Sequence, residues 1–198
     1  MSELPLLKIS YLAGVVIFTG IRSPFERRWK SNVILDDRMG GVDRALLVFV
    51  FLTMMALPLV YVLTPWLSFA NYRLPLWAGA AGGGIFAVTA WLFWRSHHDL
   101  NANWSPSLQL REGHELITSG IYSFIRHPMY AAIWLWVVGQ ILLLQNWVAG
   151  PPAFLAFGLM YAYRRTAEEA MMADRFGDSY RAYVARTPRL LPRLRYRE

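Results

Sequence analysis

The strongest constraint on this chain is a set of long stretches without Asp, Glu, Lys or Arg. Residues 45–70 form such a run of 26, residues 74–94 one of 21, residues 129–148 one of 20 and residues 150–163 one of 14. A helix needs about 20 apolar residues to cross a bilayer. Three runs meet that length. A fifth run, residues 4–21, has 18 residues and one charge, Lys8. It also qualifies if Lys8 lays its apolar stem along the helix and reaches a headgroup. The run at 150–163 covers only about 21 Å before its first charge, at ~1.5 Å per residue. It either stops short or carries its charged end inside the bundle. The expected fold class is therefore an all-α integral membrane protein of about five transmembrane helices.

Composition supports this. The hydrophobic fraction is 56% and the charged fraction 17%, against about a quarter charged in ordinary soluble proteins. The chain has no cysteine, which excludes disulfides, thiolate nucleophiles and cysteine-type zinc sites. Residues 4–21 lack a basic leading region and a small-x-small cleavage site, so they read as a retained helix rather than a signal peptide.

The position of the positive charge says more than the net +7. Of 20 Lys and Arg residues, 18 lie in three segments: residues 22–44, 95–126 and 164–197. Under the positive-inside rule these segments share the cytoplasmic side. Five spans then place the N-terminus outside and the C-terminus in the cytoplasm, in a multi-pass protein of the cell inner membrane.

The chain divides near residue 95. Residues 1–95 read as three membrane helices with a charged loop. Within them, AGAAGGGIFA (78–87) reads as small residues that let helices pack closely, since no strand precedes it to support a nucleotide loop. Residues 96–198 read as a catalytic half: a loop, two membrane helices, a cytosolic helical extension and a basic tail. All four histidines lie between 97 and 127, in a connection of about thirty residues, a length that points to function or disorder. Its Trp, Leu, Ile, Tyr and Phe argue for order. After Tyr163 the last helix continues as RRTAEEAMMADRFG, with Gly177 as a helix stop. The proline-interrupted tail TPRLLPRLRYRE reads as lying on the anionic cytoplasmic surface.

Three constellations could carry chemistry. Arg164 and Glu168 share a helix face at i, i+4. They read either as a solvated ion pair or, beside so short an apolar run, as functional groups at membrane depth. Arg126-His127-Pro128 places proline at a first helical turn and His127 at or before the N-cap, where free N–H groups suit an anion or polar ligand. The competing reading is an interfacial anchor, with Arg126 on headgroups and Tyr122 and Tyr130 in an aromatic belt. His97-His98-Asp99 diverges by about 100° per residue on a helix, which disfavours chelation. There is no H-E-x-x-H, and no G-x-S-x-G elbow for a hydrolase.

Two longer motifs, HELITSGIYSFIRHPMYAAIWLW and RRTAEEAMMADRFGDSYRAYVARTPRLLP, resemble the isoprenylcysteine carboxyl methyltransferases, especially their small prokaryotic members. The likeness spans roughly residues 95–193. It implies an integral-membrane methyltransferase that uses S-adenosylmethionine, with S-adenosylhomocysteine as product, in a cytosolic pocket without a Rossmann domain. By motif, His114, Glu115, Leu116 and Ile117 line the adenosine. Tyr122, His127, Pro128, Met129 and Tyr130 hold the rest of the nucleoside and the methionine, and Gln109 adds an approximate contact. Glu168 meets the methionine ammonium, and Arg164 is the catalytic-site residue facing the acceptor carboxylate. Arg165 and Glu169 are also four apart, so Glu169 stands as a second candidate.

The implied partners are the bilayer and a lipophilic or prenylated acceptor, with neither nucleic acid nor metal. Alternative readings are a phospholipid-amine or lipophilic-thiol methyltransferase, in which His114 or His127 acts as base, or an NADPH-dependent sterol-type membrane reductase. A helical scaffold or small transporter is the non-enzyme alternative. It predicts tolerance of changes at His127 and Glu168.

Overall fold

The computed structural model describes residues 3–30, 34–37, 40–105, 109–111 and 115–192. Helix α1 is Glu3–Lys30. Helix α2, Gly41–Phe51, continues through a π turn, Leu52–Ala56, into α3, Leu57–Leu63. Helix α4 is Leu76–Leu100, α5 is Pro128–Leu144 and α6 is Pro152–Arg186. The fold is helical as expected, with one addition: a short antiparallel ribbon pairs β1, Ile34–Asp37, with β2, Gln109–Arg111. Three helical stretches, Pro5–Arg27, Gly41–Leu63 and Leu76–Leu100, are long and apolar enough to cross a membrane. Helix α5 is apolar over 17 residues.

Several boundaries differ from the sequence reading. Helix α1 does not stop at its first arginine but continues to Lys30 with Pro24 inside it. Proline brings no N–H, which leaves the carbonyl four residues back unmet. Ser23 Oγ donates to that carbonyl, Gly20 O, at 3.3 Å. The second span ends at Leu63 rather than residue 70, because Pro65 follows. Gly177 is a kink rather than a stop. It takes φ 53°, a left-handed conformation that favours glycine, and the helix resumes to Arg186. Helix α4 runs straight through residue 95.

The glycine run at 78–87 packs as expected in part. Gly79 lies against Leu7 and Gly82 against Leu142 and Leu143, whereas Gly83 and Gly84 face open space. Helices α4 and α5 form the most extensive contact of the bundle. An aromatic spine fills the space between α1, α4 and α5, with Phe86 stacked on Trp136 at 4.4 Å and Phe18 on Phe93 at 3.5 Å.

Polar groups tie off the end of the bundle away from the histidines. Lys8 Nζ donates to Tyr61 O at 2.9 Å, at the negative end of α3, instead of reaching a headgroup. Asn146 donates to Leu67 O and to Asn71 Oδ1, at 2.7 and 2.9 Å, and Tyr72 Oη donates to Ile141 O at 2.9 Å. Side-chain hydrogen bonds thus hold the uncharged turn between α5 and α6, with no ion pair there among the described residues. The C-terminal half of α1, the C-terminal half of α2 with its π turn, the N-terminal half of α5, the C-terminal part of α4 and the middle of α6 line one cavity that opens towards the opposite end.

Candidate functional site

The cavity measures about 660 Å³, within the range of about 300–1,000 Å³ usual for small-molecule sites. Its walls change character along its length. Val15, Phe18, Val50, Met54, Ile133 and Trp136, from the apolar stretches of α1, α2, the π turn and α5, make an apolar chamber. Glu115, Tyr122, His127, Tyr130, Arg164 and Glu168 make a polar corner at the other end.

The turn before α5 builds that corner. His127 is the N-cap of α5 and Pro128 its first residue, as the spacing predicts. Upstream, Asp99 in the last turn of α4 accepts Ile121 N–H at 2.8 Å and pairs with Arg95 at 3.0 Å. Gly120 takes φ 59° there, and a Cβ would collide with the Asp99 carboxylate. This sets the short helix Gly120–Ser123, which buries Tyr122 in the wall. Tyr183 Oη donates to Tyr122 O at 2.6 Å and locks the turn to α6. His97 belongs to the same support: its ring lies buried among Phe25, Phe93 and Trp104, and Nδ1 donates to Phe93 O at 2.9 Å. Among the described residues, no group of three His, Asp or Glu side chains gathers to hold a metal.

The two glutamates of α6 separate sharply. Glu168 faces the cavity, where Tyr130 Oη donates to its Oε1 at 2.6 Å and His127 Nδ1 lies 4.0 Å from Oε2. Burial pushes its carboxyl above the usual range, against the opposing pull of His127, the Tyr130 hydroxyl and Arg164. Glu169 points away, to a clasp. It accepts from Arg126 Nη2 at 3.0 Å and from Arg189 at 3.0 and 2.9 Å, and His127 Nε2 lies 3.4 Å away. Hydrogen bonds from His127, Arg189 and Arg126 hold its carboxyl well below the usual range.

Through this clasp the chain after α6 folds back onto the turn. Arg126 N–H donates to Pro188 O at 2.8 Å and His127 N–H to Arg189 O at 3.0 Å. Arg126 Nη1 donates to the carbonyls of Val184 and Thr187. Arg126 is therefore an internal strut, not a headgroup anchor. The tail up to Arg189 is docked on protein, and residues 193–198 lie outside the described residues.

Arg164 is buried and gripped by Asp43 at the start of α2, with Nε to Oδ1 at 2.6 Å and Nη2 to Oδ2 at 2.8 Å. The sequence reading missed Asp43. Its signal was a lone acid at the head of an apolar run, whose counter-charge could come from any helix. It also missed Arg22 and Trp104, which line the cavity. Of the residues expected in the site, Glu115, Leu116, Ile117, Tyr122, His127, Pro128, Met129, Tyr130, Arg164 and Glu168 meet there. His114 lies outside the described residues. Gln109 sits in β2, opposite Asp37, and is described by its backbone alone.

Residues 83–174 match the model of the Isoprenylcysteine carboxyl methyltransferase (ICMT) family. Among curated proteins, the chain is similar to protein-S-isoprenylcysteine O-methyltransferase of Schizosaccharomyces pombe, 38% identical over 40% of this chain and 34% of that protein. The same-named protein of Homo sapiens is 34% identical over 40% of this chain and 28% of that protein. The cobalt-zinc-cadmium resistance protein CzcN of Cupriavidus metallidurans is 34% identical over 42% and 38%. The matches span about a third of these relatives' own length. A solved eukaryotic intramembrane Ras methyltransferase, ICMT, shares the fold at a TM-score of 0.53 and 23% identity, over 76% of this chain and 51% of that one. The chain is a multi-pass membrane protein whose residues 83–174 match the model of the ICMT family.

Proposed function

We propose that this protein is an S-adenosylmethionine-dependent methyltransferase of the membrane that esterifies the carboxylate of a lipophilic, isoprenylcysteine-like acceptor. The observation that carries it is one continuous cavity joining the His127–Tyr130–Glu168 corner to a chamber lined by the apolar helices. The isoprenylcysteine relatives favour a carboxylate acceptor over the amine, thiol and NADPH-reductase readings.

The residues present fit the cofactor. Glu168 offers a buried carboxylate to an ammonium, and the Tyr122, Trp104 and Met129 surfaces suit a nucleoside and a sulfonium cation. When bound, S-adenosylmethionine supplies the methyl carbon for in-line displacement by an acceptor oxygen. The protein's part is to position and to exclude water. Leu116 and Ile117 would lie on the adenosine side, His127, Pro128, Met129 and Tyr130 would hold the methionine side, and Glu168 would pair with the ammonium. A carboxylate is already ionised at neutral pH, so no general base is needed. Arg164, oriented by Asp43, faces the acceptor. The acceptor's tail enters from the bilayer into the chamber of Val15, Phe18 and Met54. The site faces the cytoplasm, since the cation-rich segments surround it.

Calorimetry of S-adenosylhomocysteine with detergent-purified protein tests this. Micromolar binding is expected. Glu168→Ala and His127→Ala should each weaken it by tenfold or more, the loss of a charged hydrogen bond of about 1.5–3 kcal/mol. No binding by well-folded wild-type protein would remove the reading.

A further inference from the structure

Two arginines reach the cavity from different helices, and they are held differently. Arg164 on α6 is fixed by two short bonds to Asp43, which is fully buried. Its charge is thus offset in place. Arg22 on α1 lies outside the segment that matches known families. Its guanidinium sits 5.3 Å from the centre of the Trp104 ring, and its Nε is 3.8 Å from Glu26, beyond hydrogen-bond reach. The two side chains are 44% and 41% exposed. An open i, i+4 pair of this kind is weak, so Arg22 keeps a guanidinium that a better anion can recruit.

Helix α1 presents a graded stripe to the cavity. Val15, Phe18, Thr19, Arg22, Ser23 and Glu26 recur at helical spacing and all line it. The stripe begins apolar and ends charged. Arg22 lies seven residues beyond Val15, about 10 Å along the helix at ~1.5 Å per residue. A ligand lying along it has its tail in the chamber and its head at Arg22, beside the polar corner.

Resting on the methyltransferase reading, we propose that Arg22 is the specificity-determining residue for the acceptor. It pairs with the acceptor's carboxylate across the cavity from Arg164. A guanidinium fork matches a carboxylate, and a partly desolvated pair is stronger than a surface one. Because Asp43 already offsets Arg164, Arg22 supplies the charge that tells a carboxylate from a neutral head. Esterification removes the acceptor's charge, so the same contact favours substrate over methylated product and aids release.

The test uses protein saturated with S-adenosylhomocysteine and three probes: N-acetyl-S-farnesylcysteine, its carboxamide and its methyl ester. Wild type should bind the carboxylate about tenfold more tightly than either neutral probe, which corresponds to ~1.4 kcal/mol. Arg22→Gln should abolish that preference, and Arg22→Lys should keep part of it. Affinity for the carboxamide and for S-adenosylhomocysteine should stay within about twofold in both variants, which also shows that they fold. A preference that survives in Arg22→Gln, or is absent in wild type, overturns the proposal. Failure to bind S-adenosylhomocysteine sinks the methyltransferase reading itself. Binding of S-adenosylhomocysteine with no binding of any farnesyl probe removes the isoprenylcysteine acceptor, and Arg22's role with it.

Discussion

Glu168 and Glu169 are consecutive on α6, and their carboxyls sit in opposite environments. One lies in a cavity wall with a single hydroxyl donor. The other is ringed by Arg126, His127 and Arg189. Their carboxyls should therefore titrate on opposite sides of the ordinary carboxylate range. Burial raises Glu168, so it is partly neutral at pH values where a free carboxyl has ionised. Affinity for S-adenosylhomocysteine should rise as pH rises through its titration, above the ordinary value of about 4.3. Glu168→Gln should flatten that rise in a calorimetric pH series. Glu169 is lowered by its donors. Its folded-state value lies below the unfolded one, so its stabilisation is present above about pH 4.3 and is lost as pH falls. Glu169→Gln should lower stability by about 1–2 kcal/mol at pH 7, discounted for partial exposure. The loss should shrink towards pH 4 in thermal melts of the detergent-solubilised protein. The sequence could name both glutamates and their four-residue partners. It could not choose between them, because a 100° step round a helix is meaningful only once the neighbouring helices are in place.

At the scale of elements, the second span shows how a membrane helix tolerates proline. Pro58 brings no N–H to the π turn, and side chains meet two carbonyls there. Tyr11 Oη donates to Met54 O at 2.6 Å, and Gln140 Nε2 donates to Thr53 O at 2.9 Å. Gln140, fully buried, also donates to Ala149 O at 2.7 Å and accepts from Trp136 Nε1 at 3.1 Å. These bonds join α1, the π turn and α5 beside the apolar chamber. Tyr11→Phe should cost about 0.5–1.5 kcal/mol. It should cost measurably less in a Pro58→Ala background, where a backbone N–H is restored to the turn. A double-mutant cycle by thermal melting checks this, and equal costs in both backgrounds would refute it. Run length located this span but not its end or its π turn. Hydropathy counts apolar residues, whereas helix ends and turns depend on which backbone groups find partners.

Across the whole molecule, the Asp43–Arg164 pair joins the N-terminal and C-terminal halves at the floor of the site. Removing Asp43 takes the two-oxygen carboxylate from the buried Arg164 guanidinium, at a cost of about 3–5 kcal/mol. Asp43→Ala should destabilise the protein to that degree. Asp43→Leu with Arg164→Met should recover most of the stability, but not acceptor turnover, if Arg164 faces the acceptor. Recovered stability with full turnover would remove Arg164 from the site.

The sequence by itself determined the helical membrane class, the clustering of cations at one end of the bundle and the His127-Pro128 start of α5. Those properties follow from run length, charge order and local backbone chemistry, which are readable in one dimension. Only the tertiary structure decided that Asp43 holds Arg164, that Glu168 faces the cavity while Glu169 clasps the tail, and that Arg22 of α1 enters the site. Each of those depends on the rotation and contact of helices distant in the chain, and buried charges take whichever partner that packing brings within reach.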